Sequence, residues 1–191
     1  MERFPTIAAA DLSPEQAELV GKYKGGWRSQ LFAGGERLPG PFSATIYAPE
    51  MAKRISHLGD YFRFETSLPE SLVEMTILIV ARLKTSQYEW HVHRPWAEKA
   101  GLDPAIADDI AQGKRPAGMS PEQSAVYDLV VASHEQATIG DAVFAAARRH
   151  FNERQLVELV ALCGYYNMIA QILNAAEVLP PGGAAPLRDL K

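Results

Sequence analysis

Between Lys84 and Trp96 the chain reads KTSQYEWHVHRPW, a run holding two of the five histidines, two of the three tryptophans and a glutamate. On a helix, Ser86, Glu89 and His93 fall at i, i+3 and i+7 and share one face, while His91 points elsewhere. Glu89 and His93 are an i, i+4 pair, close enough to hydrogen-bond or to share a proton. A carboxyl beside an imidazole suits proton transfer. The carboxylate favours imidazolium, burial opposes charge, and the balance can leave either group poised near neutral pH. The same residues have an architectural reading. Ser86-x-x-Glu89 is a capping box in which Ser86 caps the helix and Glu89 reaches back to its amide, and His93 is then an incidental histidine. Spacing alone favours that account. A metal site is not expected, because Glu89, His91 and His93 do not converge and paired helical ligands stand four apart. Pro95 removes a donor and crowds the carbonyl of residue 91. The helix therefore either kinks just after His93, opening space beside the pair, or restarts at Pro95.

The elements that must position these residues are helices. Ser13-Pro14-Glu15-Gln16 and Ser120-Pro121-Glu122-Gln123 repeat one device: a capping serine, proline at the first helical position, and a glutamine that reaches back. Ala48-Pro49-Glu50, Ser67-Leu68-Pro69-Glu70, Asp103-Pro104 and Asn152-Glu153-Arg154-Gln155 read the same way. Leu72, Met75, Thr76, Ile79, Val80 and Leu83 recur at helical spacing as one buried stripe, and Val157, Val160, Ala161 and Gly164 are read likewise. No alternating strand is convincing. The fold class is all-α, with about seven or eight helices, as the start signals suggest. Leu72-Val73-Glu74-Met75 and Leu156-Val157-Glu158-Leu159 open two helices in matching register, and Leu58-Gly59-Asp60-Tyr61-Phe62 precedes the first as Ala142-Val143-Phe144-Ala145 precedes the second. Two copies of a helical hairpin would bury each other's apolar faces.

Composition bounds the rest. The 191 residues are 47% hydrophobic and 22% charged with a net charge of −4, ordinary for a globular chain and unsuited to broad nucleic-acid binding. No apolar run reads as membrane-spanning. The start, MERFPTIAAADLSPEQ, has neither the basic residues nor the apolar stretch of a secretory leader, so a cytoplasmic location is expected. Residues 21–41 carry six glycines and two prolines without a phosphate-loop pattern, and read as an ordered loop wrapping the core or a neighbouring subunit. The division is residues 1–41 as an N-terminal helix and Gly/Pro-rich extension, 42–178 as the helical domain, and 179–191 as an extended tail. The one cysteine, Cys163, excludes an intrachain disulfide and any chemistry needing two thiols in one chain.

The stretch LVEMTILIVARLKTSQYEWHVHRPWAEKAGL, from Leu72 to Leu102, resembles the carboxymuconolactone decarboxylase and alkylhydroperoxidase D family. FNERQLVELVALCGYYNMIAQILNAAEV is similar to the last helix of its longer members. The resemblance spans roughly residues 40–180 and implies an alkylhydroperoxidase D-like helical bundle built from a duplicated unit. It also implies a homo-oligomer, trimer or hexamer, and no cofactor. The hydroperoxidase branch carries a glutamate, eleven residues, Cys-x-x-Cys, three residues and a histidine. Here Glu74 matches the glutamate, Ser86 and Glu89 stand at the two cysteines, and His93 matches the histidine. Peroxide reduction in that branch needs an attacking and a resolving thiol. Neither is present, and Cys163, set amid Leu159, Val160, Ala161 and Leu162, reads as an inert buried thiol.

The decarboxylase branch carries an acidic residue and a histidine in the arrangement Glu89-Trp90-His91-Val92-His93. It removes carbon dioxide from a lactone of aromatic-ring breakdown. The resemblance therefore implies Glu74, Ser86, Glu89 and His93 as catalytic residues: Glu89 and His93 supply a proton and Glu74 orients His93 from the neighbouring helix. Arg82 or Arg63 would hold a substrate carboxylate. Stepping from Glu158 in the second copy reaches Ala170, Leu173 and Glu177, so that copy reads as structural. The expected function is a cofactor-free carboxy-lyase or isomerase acting on a small lactone or carboxylated aromatic-breakdown compound. The alternative is a catalytically silent, ligand-binding oligomer; peroxidase activity of the antioxidant type is disfavoured.

Overall fold

The computed structural model describes residues 3–25, 27, 29 and 38–189, so much of the Gly/Pro-rich run lies outside the described residues. Its helices are α1 (Pro14–Lys24), α2 (Phe42–Thr45), α3 (Pro49–Phe64), α4 (Glu70–Leu83), α5 (Gln87–Lys99), α6 (Pro104–Ala111), α7 (Pro121–Glu135), α8 (Asp141–Arg148) and α9 (Glu153–Ala175), with no strand among the described residues. Side-chain capping sets the starts of four of these helices, α1, α6, α7 and α9. Ser13 with Gln16, Ser120 with Gln123 and Asn152 with Gln155 form complete capping boxes. Asp103 accepts from the Ala105 amide at the head of α6. The nine α-helices among the described residues exceed the expected seven or eight, and α2 and α8, which follow Pro41 and Gly140 without a side-chain cap, are the ones no start signal announced. Ser67 does not cap α4; it binds the Glu158 carboxylate instead.

α4 is the centre, packed on α5, α9, α7 and α6. Every residue from Leu72 to Arg82 is buried, whereas Leu83 is exposed. The helix is therefore enclosed all round rather than along one stripe, and each fully buried Leu, Ile, Val or Met contributes about 1.5–3 kcal/mol. In α9 the buried side is Leu156, Leu159, Leu162, Cys163, Ile169, Ala170 and Leu173. The stripe expected to be buried is the outer one: Val157 is 69% and Val160 41% exposed, and Ala161 and Gly164 are exposed with them. α9 has the length and apolarity of a membrane span, but its inner side packs on α4, α7, α3, α5 and α8 as a core helix does.

A three-residue turn, Lys84–Ser86, folds α5 back along α4. Thr85 stands at φ 50°, a left-handed conformation that a β-branched residue adopts only under constraint. The constraint is visible: the Ser86 amide donates to the Ala81 carbonyl at 2.8 Å, and the Thr85 hydroxyl accepts from Arg82 Nη2 at 2.7 Å. The tail secures the same corner, since Gln87 and the Leu187 backbone exchange two hydrogen bonds of 2.8 and 2.9 Å. α5 then runs through Pro95 without restarting. α1 packs on α3 and adds a second small core of Leu19, Tyr23, Ile46 and Ala52.

Candidate active site

The α4–α5 turn brings Glu74 and His93 face to face. His93 Nδ1 lies 2.8 Å from Glu74 Oε2, and both side chains are buried. A carboxylate accepts, so Nδ1 carries the proton in this contact and Nε2 is left free of it. Trp96 and Tyr166 stand edge-on to the imidazole with centroids at 5.1 Å, fixing its plane. Arg63 Nη1 is 3.9 Å from the other Glu74 oxygen.

Glu89 is 2% exposed, and neither of its carboxyl oxygens has a hydrogen-bond partner. Burial pushes this carboxyl well above the usual carboxylate range, so the neutral acid is the favoured form. Leaving a buried carboxyl unpartnered costs about 1–3 kcal/mol, a penalty that well-packed structures retain mainly at functional sites. The capping box is absent: Ser86 makes no side-chain cap bond, and its buried hydroxyl is unpartnered. Spacing alone had favoured that box; the compact turn uses the Ser86 backbone and turns the side chains inward.

Glu89 and His93 line one cavity of about 110 Å³, together with Arg63, Tyr88, Trp96, Tyr165 and Tyr166. The extension contributes Tyr23, Trp27 and Pro41 to the same walls, next to Phe42 of α2. Two tyrosines are seated by glycines. A Cβ on Gly59 would strike the Tyr165 hydroxyl, and one on Gly40, at φ +57°, would come within 2.6 Å of the Tyr88 ring. Glu74 opens instead onto a second hollow of about 320 Å³, which Arg63 and Tyr166 also border.

Four of the expected residues occupy this region: Glu74, Glu89, His93 and Arg63, with Ser86 buried at the head of α5 and outside the cavity wall. Arg82 is not with them. Its guanidinium donates to the Arg188 carbonyl at 2.8 Å and to Thr85, so it pins the turn and the tail and lines neither of these two hollows. Burial, the main influence on it, lowers its pKa. His91 is exposed, as its helical phase predicts. Cys163 is buried in the core, its thiol pushed up to about 12 by burial. Among the described residues no three His, Cys, Asp or Glu side chains form a set that could hold a metal.

Tyr166 is the residue that sequence reasoning missed. Burial, then the nearby Tyr165, Glu74 and Glu89, push its phenol well above the ordinary value, while Arg63 acts the other way. It belongs to the second copy of the repeat, read as structural because Ala170 and Leu173 are apolar. The signal available was the pair Tyr165-Tyr166, polar-tipped rings in an otherwise apolar helix.

No family model and no curated protein sequence matches the chain. Solved structures do. An alkylhydroperoxidase AhpD core, a peroxidase-related protein from Ralstonia eutropha JMP134, superimposes with a TM-score of 0.76 at 18% identity, over 94% of this chain and 92% of that one. A peroxidase-related protein from Silicibacter sp. TM1040 gives 0.75 at 17% identity, over 94% and 91%. A protein of unknown function from Agrobacterium tumefaciens gives 0.66 at 17% identity, over 72% and 94%. These likenesses are ones of architecture, and by them the chain has the all-helical fold of the alkylhydroperoxidase AhpD core.

Proposed function

We propose that this protein is a cofactor-free proton-transfer enzyme, a carboxy-lyase or isomerase acting on a small lactone or carboxylated aromatic-breakdown compound. One observation carries the reading: a neutral, unpartnered Glu89 and a Glu74-oriented His93 line the same cavity. In decarboxylation the C–C bond to the carboxylate breaks, carbon dioxide leaves, and the electron pair enters the ring system as a dienolate. Glu89 supplies the proton that this anion takes up at carbon, and its buried carboxyl, which favours the protonated form, is recharged from water after carbon dioxide and product leave. In isomerisation His93 Nε2 takes the proton from one carbon and returns it to another, while Glu89 donates a hydrogen bond to the developing oxyanion.

Burial of Glu74, Glu89 and His93 beside a cavity supports this reading over a catalytically silent oligomer, for which solvent-facing side chains would be expected. The peroxidase-related character named for two structural neighbours finds no second thiol here, and Cys163 is held protonated. Glu89→Gln and His93→Gln, each folded by circular dichroism, are expected to lower turnover of carboxymuconolactone and related lactones by about 100-fold or more. Unchanged rates would remove the pair from the reaction. The homo-oligomer is also proposed, with the outward α9 stripe of Val157, Val160, Ala161 and Gly164 as its contact face. Val157→Glu is expected to shift the light-scattering mass toward monomer, and an unchanged mass would point to another face.

A further inference from the structure

Arg63 is the cation among the described residues of the cavity wall, and apart from a long ion pair to Glu74 its N–H edge has no partner among them. Its guanidinium carbon lies 4.6 Å from the Trp27 ring centroid and 4.1 Å from that of Trp96, so two indoles cover the group. Phe64 stands at 5.9 Å. Contacts of this kind fix the guanidinium plane and exclude water from its faces while leaving the N–H edge to bind. Glu74 comes no nearer than 3.9 Å, beyond hydrogen-bond reach, and borders the second hollow rather than this cavity. Among the described residues no acceptor takes a hydrogen bond from Arg63. A partly exposed planar fork, held between two indoles with its N–H edge not hydrogen-bonded, is the natural receptor for a carboxylate, which takes two parallel N–H···O bonds.

The remaining walls specify what is attached to that carboxylate. Phe42, Tyr88, Trp96, Tyr165 and Tyr166 present rings to a space of about 110 Å³. A cavity of about 150 Å³ accommodates benzene, so a single ring fills this one. Aromatic walls gain edge-to-face contacts with another ring that a saturated ring of equal size lacks. Arg63 is the one cation among the described lining residues, and Glu89, kept neutral by burial, adds no negative charge beside it, which suits a ligand with one negative charge.

Resting on the acid–base reading for the chemistry that follows, we propose that the cavity takes a single-ring aromatic monocarboxylate. Its carboxylate sits on the Arg63 edge and its ring lies before Glu89 and His93. Trp27, brought by the N-terminal extension, holds the receptor in place, and its indole N–H is anchored on Asp60 at 2.9 Å. The extension is thereby a specificity element.

The test is calorimetric titration of the full chain with benzoate, its neutral isostere benzamide, and cyclohexanecarboxylate. Benzoate is expected to bind at least about tenfold more tightly than either, a difference of about 1.4 kcal/mol. Arg63→Gln is expected to remove that preference for benzoate over benzamide. Trp27→Ala, which keeps the guanidinium but releases its plane, is expected to weaken benzoate by several-fold. No benzoate binding by the unaltered protein, equal binding of cyclohexanecarboxylate, or an Arg63→Gln variant that keeps the preference would each overturn the proposal. The comparison among the three ligands needs no variant, so misfolding of one cannot obscure it. Binding is read without turnover, and Glu89→Gln and His93→Gln are tested by turnover. Either reading can therefore fail alone.

Discussion

Glu158 on α9 and Glu89 on α5 are both buried, yet one is surrounded by donors and the other by none. Glu158 accepts from the Tyr61 hydroxyl at 2.5 Å, the Thr66 hydroxyl at 3.0 Å, the Ser67 amide and hydroxyl at 2.9 and 2.7 Å, and Arg154 Nε at 2.8 Å. Burial alone would raise its pKa, but the hydrogen bonds from Tyr61, Ser67 and Arg154 outweigh it and hold the carboxyl at about 2. Glu89 experiences only the burial, and moves the other way. The partners, not the depth, decide whether a buried carboxyl is a permanent charge or a held proton. Glu158 uses its charge to fasten the α3–α4 connection onto α9. Glu89 keeps a proton that no neighbour claims.

The largest expected effect separates the two by activity. Glu89→Gln loses about 100-fold or more in lactone turnover, whereas folded Glu158→Gln stays within about threefold, measured at saturating substrate. Equal losses would dissolve the distinction. Next comes stability. Glu158→Gln is expected to lose about 2–4 kcal/mol at pH 7, because several donors lose a charged acceptor. For a chain of this size that lowers Tm by about 5–15 °C in calorimetry. Since the folded value of about 2 lies below the ~4.3 of an unfolded glutamate, this contribution is complete above pH ~4.3 and drains away as the pH falls toward 2.

Glu89 has the opposite sign. Its folded state binds the proton more tightly than the unfolded one, so its contribution is most favourable below pH ~4.3 and declines as the pH rises. Glu89→Gln, a neutral isostere, should therefore have a higher Tm than the parent at pH 8, with the gap narrowing toward pH 5. A gap that is constant with pH would mean Glu89 titrates normally. The smallest effect belongs to Arg154→Ala. Its side chain is 62% exposed, and removing it should lower stability in denaturant unfolding far less than Glu158→Gln does, leaving Glu158 mostly satisfied.

Local chemistry made the helix starts readable: proline, serine and glutamine at fixed offsets act within one turn, and three complete capping boxes formed where their spacing placed them. The pairing of Glu74 with His93 is what the family resemblance implied. What short-range spacing does not carry is orientation. Ser86 had the spacing of a cap, but the left-handed Thr85 turned its hydroxyl inward. Arg82 and Arg63 each had the chemistry to hold an anion, and only tertiary packing sent one to the tail carbonyls and the other to the cavity. Val157 and Val160 followed the helical period of a core face, yet α4 lies against the opposite side of α9. Tyr166 entered the site from a repeat whose matching positions are apolar, an asymmetry visible only once the two copies are packed together.

Cys163 has a use unrelated to catalysis. A lone thiol shut in the core and held protonated cannot meet an aromatic disulfide reagent until α9 parts from its neighbours. The chain thus carries its own stopwatch for that opening: the rate of colour development at rising denaturant gives the frequency with which the interior is breached, with no label to attach and no second cysteine to confuse the trace.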